Sequence, residues 1–268
     1  MSKLLLFFLA SALISTAFAG TVTLTGTCSA KLNPNNTINF SISNSGTESA
    51  SNLFIASFPA FSGKQTGYYS ANQIAPGQHS MFSINATQGN MTGTFIYYFV
   101  ATYAQGMQIF TVVFPCTVKN SDTYPSTIGI SNLTVDYVNS TSAKIAGSIY
   151  SFSQQQVSGN LTVIVPPMFR NAGEKMQFSV GPYQYSNFTF YIGPQNQQNA
   201  TYSGAVALEY SQNGINYAAL SVMAIKPYPQ QQDPLKEYAI QAASLLIILA
   251  LIALAVRQRI LKRRKKVR

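Results

Sequence analysis

The chain has 268 residues, 47% of them hydrophobic and 12% aromatic but only 9% charged, with no Trp, one His and two Cys. That apolar share excludes a disordered chain. The formal charge of +10 sits at the ends: Lys3 supplies one positive charge and residues 257–268 supply eight, leaving residues 20–237 with 8 basic against 7 acidic side chains. So even a balance excludes the clustered Lys and Arg that a nucleic-acid footprint needs.

Residues 1–19 read as a secretory signal peptide. Lys3 precedes an apolar run from Leu4 to Phe18, and the small residues Ala17 and Ala19 flank Phe18 before Gly20, which places the cut between Ala19 and Gly20.

Residues 20–226 are rich in Ser, Thr, Tyr, Phe and Val, and short alternating runs recur between Gly, Pro and Asn. Ile38 to Ile42, Leu133 to Tyr137, Leu161 to Val165 and Phe188 to Ile192 each read as half-buried strands. No sustained 3.6-residue stripe interrupts them, so the region is predicted to be all-β. It also repeats. Ser57-Phe58-Pro59 matches Ile164-Val165-Pro166, Met81 to Ile84 matches Thr189 to Ile192, and the segment from Asn90 matches that from Asn199, aligning Tyr103 with Tyr210 and Gly106 with Gly214. Blocks in the same order at nearly constant offset predict two copies of one domain, over residues 20–119 and 127–226, with a polar break at Lys119 to Pro125. Each is the size of a two-sheet sandwich.

Residues 227–237 hold prolines and a run of three glutamines, which form neither helix nor ladder and read as a stalk. Residues 238–256 then carry no charge and are dense in Leu, Ile and Ala, long enough as a helix to cross a hydrocarbon core of about 30 Å. The tail over 257–268 follows, with Arg257, Arg259, Lys262, Arg263, Arg264, Lys265, Lys266 and Arg268 as a stop-transfer cluster. Such cations stay on the cytoplasmic side, so the predicted protein spans the membrane once with its N-terminus outside.

The first copy reads S-I-S-N-S-G-T-E-S-A-S-N-L-F-I, then I-A-P-G-Q-H-S-M-F-S-I, then G-T-F-I-Y-Y-F-V-A-T-Y. It resembles the immunoglobulin-like CARDB or NEW3-type modules of archaeal and bacterial surface proteins, including S-layer-related ones. The resemblance covers residues 35–115. The second copy departs from it, with Gln154 to Gln156 in place of the N-x-G turn and Gly181-Pro182 where Pro76-Gly77 is expected. It implies tandem immunoglobulin-like sandwiches in an exported scaffold or adhesion-type module rather than a catalyst.

An exported chain with an even pair of cysteines is expected to oxidise them, here Cys28 with Cys116. Asn-x-Ser/Thr occurs at Asn35, Asn39, Asn85, Asn90, Asn132, Asn139, Asn160, Asn187 and Asn199, whereas the 19 Asn and 50 Ser plus Thr would give about 3.5 by chance. The excess points to N-glycosylation, and Asn39, Asn132, Asn160 and Asn187 fall on the polar parity of their strands.

Catalytic constellations are not evident. His79 is the lone histidine, beside the Pro76-Gly77 turn, and Glu48, Asp122, Asp136, Glu174 and Glu209 stand singly, with only Asp233 and Glu237 close together in the stalk. No phosphate-binding, dinucleotide or zinc-hydrolase motif occurs, so neither cofactor, metal nor enzymatic activity is expected. Aromatic platforms can bind sugars and peptides, and Tyr68-Tyr69, Tyr97-Tyr98 and Tyr183-Gln184-Tyr185 are the candidates. The connection from Phe61 to Gln78 is read as a long loop through which Tyr68 and Tyr69 touch a surface protein or glycan, the second domain acting mainly as a spacer. Three readings follow: a structural or adhesive surface protein, an accessory subunit of a membrane complex such as export or glycosylation machinery, and a glycan-binding module.

Overall fold

The computed structural model describes residues 20–33, 35–86, 92–120, 125–194 and 201–228. The expected leader, membrane span and basic tail lie outside the described residues, as do Asn90, Asn199 and nearly all of the stalk. Among the described residues the regular structure is entirely β, and no helix is long and apolar enough to cross a membrane.

The first half contains β1 (Leu24–Cys28), β2 (Thr37–Asn44), β3 (Ala50–Pro59), β4 (Gly67–Ile74), β5 (His79–Asn85), β6 (Thr92–Gln105) and β7 (Gln108–Lys119). One antiparallel sheet runs β1-β2-β5 and another β4-β3-β6-β7. Strict alternation in β2 buries Ile38, Phe40 and Ile42 against Phe95, Tyr97 and Phe99 of β6, closing a sandwich core. Phe40 and Phe99 stack with ring centroids 4.1 Å apart. Each such ring contributes about 2 to 3 kcal/mol by leaving water.

The second half contains β8 (Ile128–Asn139), β9 (Ser142–Ser151), β10 (Val157–Ile164), β11 (Phe169–Arg170), β12 (Lys175–Val180), β13 (Tyr185–Pro194), β14 (Tyr202–Gln212) and β15 (Ile215–Ile225). Its sheets run β11-β13-β9-β8 and β12-β10-β14-β15, around a second core that includes Ile145, Phe188, Phe190, Val206 and Leu208. Apart from the two-residue β11, the strand order of the first sandwich recurs here. The sequence blocks that match one another lie on corresponding elements: Tyr103 on β6 and Tyr210 on β14, Met81 on β5 and Thr189 on β13. Gly106 and Gly214 occupy the hairpin turns after β6 and β14, both left-handed, at φ of 57° and 76°.

Where the halves meet, a third core forms. Residues of β6 alternate between two interiors: Phe95, Tyr97 and Phe99 enter the first sandwich, whereas Ile96 and Val100 face outward. The outward residues pack with Ala60 and Val113 against Ile164 of β10 and Ala205 and Ala207 of β14. The outer faces of the two larger sheets therefore cover each other, and Leu161 to Val165, expected to be half-buried, is buried on both faces. This double burial explains the near-continuous apolar runs of β6 and β14. A short parallel pairing of Ile215 with Thr92 and Asn216 with Gly93 joins the two larger sheets along their edge. Gly93 holds φ of 128°, and a Cβ there would strike the Asn216 carbonyl. The described residues up to Pro227 accordingly belong to one compact unit.

Candidate functional site

Cys28 ends β1 and Cys116 lies on β7, and the two are disulfide-bonded with Cα atoms 6.2 Å apart at a sequence separation of 88. The chain just after β1 is hydrogen-bonded to the end of β7, Leu32 N–H donating to the Lys119 carbonyl and Lys119 N–H to the Ala30 carbonyl. First and last strands of the sandwich are thus held both covalently and by backbone.

Of the nine sequons, seven have their asparagine among the described residues. Asn35, Asn85, Asn132, Asn139, Asn160 and Asn187 are exposed, and Asn39 is half-buried, its Oδ1 accepting from Ser83 Oγ and Asn33 Nδ2. Period-two geometry accounts for Asn39, Asn85, Asn160 and Asn187, whose strand neighbours face inward, whereas Asn132 reaches solvent at the β8 bulge with φ of 52° and Asn35 lies in the turn before β2.

The segment from Phe61 to Gln78 is not one loop. Gly67–Ile74 forms β4, the edge of its sheet, paired with β3, so Tyr68 and Tyr69 are strand residues. Adjacent residues on a strand point to opposite faces. Tyr69 accordingly turns inward and stacks on Phe82 at 4.5 Å, while Tyr68 turns outward, 72% exposed, and lies over Phe54 at 6.1 Å. Any contact role for this pair falls to Tyr68 and Phe54. Tyr97 is wholly buried, and Tyr98 stacks on Phe58 beside the third core. His79 opens β5, opposite Ser43, and is exposed rather than confined to a turn.

A second aromatic group lies on the outward face of β9 and β13. Tyr150 pairs across the ladder with Tyr185, their rings 6.4 Å apart, and Phe152 meets Tyr150 edge-on at 5.1 Å. Tyr185 and Phe152 are among the most exposed large hydrophobic residues, at 72% and 67%. Tyr183, also exposed, sits in the turn before β13 with φ of 56°. The corresponding turn of the first sandwich has Gly77 there, at φ of 75°: Gln78 N–H donates to Ala75 O in one turn and Gln184 N–H to Gly181 O in the other. Sequence reading singled out Tyr183 and Tyr185, but Tyr150 and Phe152 join them only through the register of β9 and β13.

The residue that sequence reading passed over is Glu209. It projects from β14 into the junction between the halves, buried, and its Oε1 accepts the Ile96 N–H at 3.1 Å. Burial pushes its carboxyl up to about 7, against the opposing pull of that hydrogen bond and of Lys175. Asn216 Nδ2 donates to the Thr94 carbonyl at 2.6 Å, and Lys175 Nζ donates to the Phe61 carbonyl at 2.7 Å. These polar ties satisfy groups that the apolar junction would otherwise strand. Perturbed carboxyls often mark active sites, yet Glu209 faces packed protein rather than a cleft. No group of His, Cys, Asp and Glu suited to a metal ion occurs among the described residues.

No protein-family model matches the chain, and no curated protein matches it. Among solved structures it is similar to β-glucuronidase 2 of Bacteroides uniformis, with 11% identity over 72% of this chain and 26% of that one and a TM-score of 0.30. The YadV chaperone aligns with 10% identity over 75% of this chain and 99% of that one, with a TM-score of 0.28. Red sea bream transglutaminase aligns with 8% identity over 81% of this chain and 33% of that one, with a TM-score of 0.27. The chain spans about a quarter of the glucuronidase's length, and likenesses at this level assign neither family nor activity.

Proposed function

We propose that the chain is a single-pass, membrane-anchored cell-surface protein. Its ectodomain is glycosylated and built from two tandem immunoglobulin-like sandwiches of the CARDB or NEW3 kind, and it serves a structural, adhesive or protein-contact role. The observation that carries this reading is the Cys28–Cys116 disulfide, because such a bond persists in oxidising compartments and is rare in the cytosol. The exposed sequon asparagines and the recurring strand order support the same reading. The apolar run at 238–256 followed by eight cations supplies the anchor and its direction. A non-enzymatic role is favoured by a lone exposed histidine and by the engagement of Glu209, the one deeply buried acid among the described residues, with a backbone amide.

Protease added to intact cells should remove the ectodomain and leave a small fragment containing the tail. Recovery of a full-length, freely soluble chain would overturn the anchored reading, and two alkylatable thiols in native material would remove its main support. Gentle solubilisation and copurification decide between a free-standing surface protein and an accessory subunit of export or glycosylation machinery. A stoichiometric set of helix-bearing partners would favour the subunit.

A further inference from the structure

The outward face of β8, β9 and β13 carries one sequon in an unusual setting. Across this face Gly129, Tyr150 and Tyr185 form one row, and Ser131, Ser148 and Asn187 form the next, two residues further along each strand. Rows spaced by two residues lie about 7 Å apart, close to the breadth of one sugar ring. Asn187 is exposed, and its Oδ1 accepts the Ser148 hydroxyl at 2.7 Å, which fixes the side chain above the sheet rather than leaving it to swing free. Ser148, opposite Asn187, is the small side chain next to the aromatic row, and Thr189 and Ala146 lie beyond Asn187 on the far side. At the same spacing the other described strand sequons have Thr37 for Asn39, Ser83 for Asn85, Ile130 for Asn132 and Ser158 for Asn160, while Asn139 has Tyr137, whose ring packs against the second core instead of lying on the outward face.

The aromatic row is itself costly to maintain. Tyr185 exposes nearly three-quarters of its surface, and Tyr183 holds a left-handed backbone that the equivalent turn gives to glycine. By the same turn alignment Tyr185 corresponds to His79, which pairs with Ser43 where Tyr185 pairs with Tyr150, so this platform belongs to the second sandwich alone. Sugar rings present a C–H face that packs on aromatic faces as other apolar groups do.

We propose that the aromatic row of Tyr150 and Tyr185 is the seat of the chain's own N-linked glycan, whose first sugar, carried on Asn187, lies against the Tyr185 ring. The proposal rests on the exported, glycosylated reading given above. In the attachment step the Asn187 amide nitrogen bonds to the anomeric carbon of a lipid-phosphate-linked oligosaccharide. The bond from that carbon to the phosphate oxygen breaks, the lipid phosphate leaves with the electron pair, and the amide proton passes to the transferase or solvent. The attached sugar then covers apolar surface that the bare chain leaves in water, and this second sandwich gains a stabilising contact from the modification.

The test uses full-length protein purified from its own host, with glycopeptide mass spectrometry at every sequon and thermal unfolding of four proteins: wild type, Tyr185→Ser, Thr189→Ala, which abolishes the sequon, and the double variant. The expected result is an occupied Asn187 and a fall of about 2 °C for Tyr185→Ser in glycosylated protein. That fall should vanish when Tyr185→Ser is made in the Thr189→Ala background, and Tyr185→Phe, which keeps the ring, should behave as wild type. Occupied Asn187 with the same fall in both backgrounds would overturn the stacking while leaving glycosylation intact. An unmodified Asn187 beside other occupied sequons would overturn it as well. No occupied sequon anywhere would remove both this inference and the glycosylated reading beneath it.

Discussion

The two sandwiches repeat one strand order but close it by different means. In the first, β1 is only five residues long and pairs with β2 through five positions, and the Cys28–Cys116 bond ties it to β7. In the second, β8 runs for twelve residues and pairs with β9 along nearly its whole length, bulging between Ser131 and Thr134, without a disulfide. A short first strand offers few ladder bonds and little buried area, so a covalent staple replaces what a longer strand supplies through pairing. The equivalent turns differ in the same spirit, with glycine at the left-handed position in one and tyrosine in the other.

Breaking the staple should have the largest effect. Replacing Cys28 and Cys116 with Ala opens a closed loop of 88 positions, which the chain-entropy model values at about 4 to 5 kcal/mol. Hydrogen exchange should show protection lost first in β1, β2 and β5, with β9 and β13 retained. Equal loss in both halves would mean that the third core couples them into a single unfolding unit. Urea unfolding with and without reductant gives the size of the effect on the same protein.

The junction itself can be probed through Glu209. Its folded-state carboxyl is held up at about 7 by burial, above its unfolded value, so the native state favours the protonated form. The associated stability is fully present below the unfolded value of 4.5 and is lost as pH rises through about 7, a change on the order of 3 kcal/mol. Glu209→Gln keeps an oxygen to accept the Ile96 N–H but carries no charge. It should match wild type near pH 4, exceed it near pH 8, and flatten the pH profile of the melting temperature between those limits. A wild-type profile already flat over this range would show that Glu209 is not the titrating group.

Much of the architecture was legible because it follows from period two. Ile38 to Ile42 announces its buried face directly, the repeat offset predicts where corresponding strands fall, and two cysteines have one way to pair within a chain. The third core was less legible, since on β14 its face consists of Ala205, Ala207 and Glu209, and small residues beside a carboxylate do not announce burial. The clue lay in the unbroken apolar runs Phe95 to Ala101 and Ala205 to Leu208, which a strand with one solvated face does not need. Gly67 ahead of Tyr68 and Tyr69 suggests an exposed loop, yet it opens β4, and both faces of that strand find aromatic partners, Phe54 outside and Phe82 inside. The platform of Tyr150, Phe152 and Tyr185 depends on register between strands distant in sequence, which local pattern cannot supply.

The turn comparison predicts a gain rather than a loss. A left-handed backbone costs a residue with a Cβ about 1 kcal/mol relative to glycine, so Tyr183→Gly, copying Gly77, should raise the unfolding free energy by about that amount, less the unfolded-state entropy that glycine adds back. In the opposite sense Gly77→Tyr should lower it. Thermal scans of both variants check the sign. A destabilised Tyr183→Gly would mean that the exposed ring contributes packing that offsets the backbone strain.

The smallest expected change in stability comes at the edges of the two larger sheets, where β4 and β12 are counterparts. On β12 the leading residue is Lys175, whose ammonium bonds the Phe61 carbonyl across the junction, and a lysine on an edge discourages pairing with another chain. Edge strand β4 reads G-Y-Y-S-A-N-Q-I, with neither charge nor proline, and presents Tyr68 on its outward face. Tyr68→Ser removes a ring that is mostly in water already and should change stability by no more than about 0.5 kcal/mol. If β4 is where a surface neighbour docks, the same substitution should still reduce partner crosslinking on intact cells, because an aromatic anchor at a near-neutral surface supplies contact that long-range charge cannot. A Tyr69→Ser control separates the two faces: its ring stacks on Phe82 inside the sandwich, so it should lower stability while leaving crosslinking per folded molecule unchanged. Unaltered crosslinking in a stable, exported Tyr68→Ser protein would move the contact away from β4.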